Sequence, residues 1–85
     1  MNRRKLLNRL SLGAVNNVSF GDLMGLAEGL GFRLSRVSGS HHVMVHPNVP
    51  ELINIQNVGG QAKPYQVRQL VRLVERYNLV LEEER

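Results

Sequence analysis

Three histidines fall within six residues of this chain, at His41, His42 and His46. The first two directly follow Gly39-Ser40, a turn signal, and the run from His41 to His46 stops at Pro47, so the segment reads as a strand entered through a turn. Successive strand residues point to opposite faces of a sheet. His41 therefore shares one face with Val43 and Val45, and His42 shares the other with Met44 and His46. An imidazole with an ordinary pKa of about 6.5 can give or take a proton near neutral pH. Here a serine hydroxyl stands beside it, and a glycine lets a ligand come close to the backbone. The plainer alternative is a set of surface or core-satisfied imidazoles. A metal centre is not expected, because three side chains of one strand do not converge and Glu51 lies beyond Pro50. Nor is a serine hydrolase, for there is no Gly-x-Ser-x-Gly elbow.

With 85 residues, the chain has room for one modest core. Eleven Lys and Arg against seven Asp and Glu give a formal charge of +4, and three of the acids sit together at Glu82-Glu83-Glu84. The body is thus more basic than the total, which favours a polyanionic partner over a merely solvated surface. The absence of cysteine excludes a disulfide framework, a thiol nucleophile and thiolate metal sites, and it fits a reducing, cytoplasmic location. Arg3, Arg4 and Lys5 precede leucines, but Asn8, Arg9 and Ser11 break any signal-peptide apolar stretch. No apolar run approaches the roughly 20 residues of a spanning helix, so no membrane partner is expected.

The elements that must hold the histidine strand can be read outward from it. Phe32 to Val37 alternates apolar and polar residues, Ser38-Gly39-Ser40 turns the chain, and His41 to His46 returns, which makes a β-hairpin. Asn48-Val49-Pro50 reads as a loop, and Glu51 to Val58, with Leu52, Ile53, Ile55 and Val58, as a third strand ended by Gly59-Gly60. Ahead of the hairpin, Ser19 and Asp22 form a capping box that opens a helix with Phe20, Leu23, Met24, Ala27 and Leu30 on one face. Gly31 supplies its left-handed stop. Pro64 opens the last helix, which runs to about Tyr77 with Val67, Leu70, Val71, Val74 and Tyr77 in one sector. Arg68, Arg72 and Arg76 occupy the opposite sector, either as a solvated face or as a rail for phosphates, since guanidinium groups four residues apart project together. In front, Leu6, Leu7 and Leu10 among Arg3, Arg4, Lys5 and Arg9 predict a short amphipathic helix stopped by Gly13. The expected class is α+β, with residues 1–18 a helical leader and connector and residues 19–85 the domain proper.

Several of these segments coincide with one known pattern. Asp22-Leu23 at a helix start, Gly31-Phe32-Arg33-Leu34 entering a strand, Gly39-Ser40-His41-His42 leading to His46-Pro47, and Lys63-Pro64 through Val67-Arg68 and Leu70 resemble the HicA (YcfA-like) toxins of bacterial toxin-antitoxin pairs. The resemblance spans about residues 19–77. It implies a double-stranded-RNA-binding-like α-β-β-β-α fold, with a three-stranded antiparallel sheet and its helices on one face. It further implies an mRNA interferase, an endoribonuclease with a single essential histidine and no metal or cofactor, restrained by a HicB-type antitoxin. His41 matches that histidine, Gly39 and Ser40 match residues that shape the site, and Lys63 and Arg68 match basic positions of the last helix. In this reading His41 is the acid-base group, Ser40 positions phosphate or imidazole, and Lys63 with Arg68 steadies developing negative charge. Arg72 and Arg76 extend the RNA-binding face, while Val43 and Val45 form an apolar patch beside His41 that an antitoxin would cover. The chain departs from the pattern at Tyr65-Gln66, where many relatives have Gly-Thr, at Met44 in place of an aromatic, and in its leader. Two rival readings keep the fold: an RNA-binding module in which His41 only contacts a 2′-hydroxyl or phosphate, and a remnant that acts through protein interaction alone. No motif fixes an oligomeric state.

Overall fold

In the computed structural model, which describes residues 1–82, the elements run α1 (Arg3–Ser11), α2 (Phe20–Gly29), β1 (Arg33–Ser38), β2 (His41–His46), β3 (Val49–Gln56) and α3 (Pro64–Tyr77). Glu83, Glu84 and Arg85, the end of the acidic tail, lie outside the described residues. The three strands form one antiparallel sheet in the order β1-β2-β3. Both hairpins close on two-residue turns, Gly39-Ser40 between the paired Ser38 and His41, and Pro47-Asn48 between the paired His46 and Val49. Gly39 has φ +59, the positive value that the first central position of such a turn takes up readily only in glycine.

Local side-chain chemistry sets the helix ends. The Ser19 hydroxyl accepts the Asp22 amide at 3.1 Å and starts α2, and the Asn2 carbonyl oxygen of the side chain accepts the Lys5 amide at 3.0 Å and starts α1. Gly31 at φ +101 follows α2, and Asn78 at φ 53 caps α3. The glycine stop after α2 is also forced by space. A Cβ at Gly31 would lie 2.7 Å from the His46 Nε2 and 2.8 Å from the Glu82 Oε2.

One aliphatic core joins all layers. Leu6, Leu7 and Leu10 of α1, Leu23, Leu26 and Ala27 of α2, and Val67, Leu70 and Leu73 of α3 pack with Met44, Ile53 and Ile55 of the sheet. The helices thus cover one face of the sheet, and the opposite face of β2 is left open. The leader helix is part of this body: it packs on α2 and α3, and Val15 and Val18 of the connector are buried in the same cluster. Two α2 glycines make room for the chain's start, since a Cβ at Gly29 would meet the Arg3 Cδ at 2.9 Å and one at Gly25 would meet the Met1 Cε at 3.2 Å.

Two expectations need correction. The third strand spans Val49 to Gln56 rather than Glu51 to Val58, so Val49 and Pro50 are strand and not loop. Proline is tolerated there because β3 is an edge strand, which leaves one side of its backbone unpaired. Val58 forms only an isolated bridge to Gln61. The buried face of α3 is Gln66, Val67, Leu70 and Leu73, while Val71, Val74 and Tyr77 pack only partly. The sector is therefore rotated toward Leu73 relative to the one read from spacing, and it includes a glutamine.

Candidate active site on the open sheet face

The first residue of β2 faces away from the helices. His41 lines a shallow depression of about 380 Å³ with Arg36, Ser38, Val43 and Asn54. Strand pairing assembles these residues from three places in the chain. Ser38 pairs with His41 and Arg36 with Val43 across β1-β2, while Asn54 pairs with Val43 across β2-β3. A register shift between Leu34 and Arg36 lets Arg36 and Ser38 share this face although Arg33, next to the bulge, pairs with Val45. The His41 Nδ1 lies 3.1 Å from the Asn54 Oδ1. Among the described residues Arg36 is the one Lys, Arg, Asp or Glu side chain lining the depression.

The other two imidazoles are structural. His42 packs its ring 4.6 Å from the Phe20 ring, centroid to centroid, with Nδ1 3.1 Å from the Ser40 carbonyl oxygen. His46 is edge-on to Phe32 at 5.0 Å. Its Nε2 lies 3.0 Å from the Leu30 carbonyl oxygen, and its Nδ1 accepts the Asn48 amide at 3.0 Å. With both nitrogens engaged, the His46 ring ties β2 to the end of α2. Among the described residues no group of three or more His, Cys, Asp or Glu side chains is placed to hold a metal ion.

Ser40 does not serve His41 directly. Its hydroxyl accepts the Gln56 Nε2 at 3.2 Å, and the Gln56 amide in turn donates to the Gln66 Oε1 at 2.8 Å. Gln66 is only 2% exposed, and it links the first turn of α3 to the strand end opposite His41. Lys63, the residue before α3, stands at this same end of the sheet, its Nζ 5.9 Å from the Tyr65 ring centroid. Gly39 and Ser40 therefore shape the turn, and the α3 N-terminus braces it.

The α3 arginines are placed elsewhere. Arg68 and Arg72 are exposed on the side of α3 turned away from its buried face, so the core and the sheet stand between them and His41. Arg76 is also exposed and lies 3.7 Å from Glu51. That carboxylate accepts the Tyr77 hydroxyl at 2.5 Å, a hydrogen bond that holds the Glu51 pKa below its ordinary value and pushes Tyr77 above its own. The residues that do join His41, Asn54 and Arg36, are not singled out by the sequence. Arg36 carries a usable signal, its place on a strand of alternating polarity. Asn54 carries none, because a partner thirteen residues away is fixed only by the pairing of β2 with β3.

No helix among the described residues is long and apolar enough to cross a membrane. A family model described as HicA toxin of bacterial toxin-antitoxin matches residues 21–75, well over half of the chain. That span runs from the first turn of α2 into the last turn of α3 and leaves α1 outside. No curated protein and no solved structure matches the chain.

Proposed function

The chain belongs to the HicA toxin family, and so is the toxin of a toxin-antitoxin system with a cognate antitoxin; from this premise we propose that it is an mRNA interferase in which His41 is the acid-base group. The observation that carries the reading is the half-buried His41 imidazole opening into the same depression as the Arg36 guanidinium. In metal-independent RNA cleavage the 2′-oxygen bonds to the adjacent phosphorus as the bond to the 5′-oxygen breaks. The products are a 2′,3′-cyclic phosphate and a 5′-hydroxyl. The His41 Nε2 takes the 2′-hydroxyl proton, and the leaving 5′-oxygen gains a proton from the imidazolium so formed or from water. Arg36 bears the charge gathering on the phosphoryl oxygens, a task its planar donor fork suits. This moves the stabilising role from Arg68 to a residue of β1. Lys63, at the same end of the sheet, meets a neighbouring phosphate, and Arg68, Arg72 and Arg76 hold more distant backbone without reading sequence.

The proposed antitoxin is of the HicB type and docks on the open face over His41; the exposed patch expected of Val43 and Val45 is not there, because Val43 is already buried at 9% exposure between the side chains of its neighbouring strands and Val45 is half-buried. Docking there blocks the imidazole and the Arg36 guanidinium beside it in one step. The proposed location is the cytoplasm, where mRNA is found.

The test is cleavage of single-stranded RNA by the purified chain in the presence of a chelator, with the new ends analysed for cyclic phosphate. Cleavage by the wild type and its loss in a folded His41→Ala variant is expected, by about 100-fold or more. Tight binding without cleavage would instead mark an RNA-binding module, and no RNA binding at all a protein-interaction role.

A further inference from the structure

We infer that Asn54 is a positioning residue that keeps the His41 proton on Nδ1 and so presents Nε2 of the imidazole as the base. The inference rests on the ribonuclease reading above and deepens it. The Asn54 Oδ1 stands 3.1 Å from the His41 Nδ1. An amide oxygen can only accept, and a neutral imidazole has a single N–H, so the nitrogen facing that oxygen carries it. Nε2 is then left with its lone pair, which a group taking a hydroxyl proton requires.

The support for Asn54 is rigid. Ile53 and Ile55 on either side of it are fully buried on the helix face, so β3 is anchored on both sides of Asn54, and strand alternation sends Asn54 to the open face. It pairs with Val43, two positions from the Gln56 that pairs with His41, which makes Asn54 and His41 diagonal neighbours within side-chain reach. Among the described residues no carboxylate lines the depression. Among the described residues the groups facing His41 there are Arg36 and Ser38 from β1, with Asn54 and Gln56 from β3, and the helices pack on the other face with Met44, Ile53 and Ile55. An amide in this place orients the ring without adding the negative charge that would hold a proton on the imidazole. A base that must be free near neutral pH is served by that choice, whereas an aspartate would favour the charged ring.

The experiment reads the imidazole directly and activity separately. Long-range nitrogen-15 spectra of the full chain at alkaline pH should show His41 protonated on Nδ1 in the wild type, and a mixture or the Nε2–H form in Asn54→Leu. Metal-free RNA cleavage by Asn54→Leu should fall about tenfold or more at an unchanged melting temperature. Asn54→Asp should restore the Nδ1–H tautomer and move the acidic limb of the pH-rate profile up by about one unit. If Asn54→Leu folds poorly, Asn54→Ser takes its place, since it keeps the strand but is too short to reach Nδ1. A wild-type His41 protonated on Nε2, or an activity loss in Asn54→Leu with the tautomer unchanged, overturns the assignment. A wild-type chain that shows the Nδ1–H ring but cuts no RNA overturns the ribonuclease reading instead.

Discussion

His41 and His42 are adjacent in sequence and belong to opposite sides of the molecule. The first reaches across the open face to Asn54, and the second packs at a tilt against Phe20 on the helix side. Strand alternation alone separates them, and it separates the consequences of changing them. His42→Ala removes a ring contact worth about 0.5–1.5 kcal/mol beyond its buried area. It should lower the melting temperature by several degrees, roughly 4–8 °C per kcal/mol in a domain of this size, while residual folded protein still cuts RNA. His41→Ala should melt within about 0.5 kcal/mol of the wild type and be inactive. Thermal melts beside a cleavage assay decide it, and the reverse pattern would exchange the roles of the two residues.

The position of the arginines gives a second expectation. Arg36→Gln should reduce the cleavage rate at saturating RNA, because its charge sits beside His41. Arg68→Gln and Arg72→Gln should leave that rate nearly unchanged and instead flatten the dependence of log affinity on log salt by about 0.7–0.9 for each phosphate no longer neutralised. Arg76→Gln should do less, since Glu51 already stands 3.7 Å from its guanidinium. Unaltered slopes in the Arg68 and Arg72 variants would return both residues to a simple solvated face.

Tyr77 and Glu51 make stability depend on pH in a known direction. The shared hydrogen bond lowers the Glu51 pKa from its ordinary 4.5, so its stabilising effect is present above pH 4.5 and is lost as pH falls through the depressed folded value. The same bond raises the Tyr77 pKa from 10.0, so that contribution is present below pH 10.0 and is lost as pH rises through the elevated value. Tyr77→Phe removes both effects. The melting temperatures of wild type and variant should therefore differ most at neutral pH and converge below pH 4.5 and above pH 10.0. A gap that stays constant across the range would show that the bond contributes nothing.

Leu10 tests whether the leader belongs to the folded body. It is 1% exposed among α2, α3 and the connector. Leu10→Ala should cost about 2–5 kcal/mol, the range for deleting a buried leucine side chain. A single melting transition displaced downward, followed by denaturant titration, is the expected result. A leader that melted separately, with the remainder unaffected, would place the domain boundary near residue 19 after all.

Much of this arrangement is legible in the sequence. The N-cap at Ser19, the stop at Gly31 and the opposite faces of His41 and His42 are local features, encoded in residues a few positions apart. What stays hidden is pairwise and distant. The start of β3 escapes notice because Pro50 reads as a loop residue unless the strand is known to be an edge. The contact of His41 with Asn54 depends on the register of β2 against β3, which an irregularity between Met44 and His46 adjusts. The glycines of α2 weaken a helix when read alone and make sense only once Arg3 and Met1 are seen lying over Gly29 and Gly25. Spacing correctly puts the α3 arginines on an exposed face, but it does not say which side of a sheet that helix covers.

β1 ends the sheet, and all six of its residues are exposed. Such an edge, with free amides and carbonyls along its length and Leu34 and Val37 open beside them, is a template on which further strands can add and from which aggregates grow. Arg33 and Arg36 counter that tendency, since two copies meeting along this edge would bring guanidinium groups of both chains to one seam. Arg36, which lines the depression beside His41, is thus expected also to keep the free protein dispersed. Its removal costs colloidal solubility along with charge at the site, and an Arg36→Gln sample should precipitate at lower protein concentration than an Arg68→Gln sample of the same net charge.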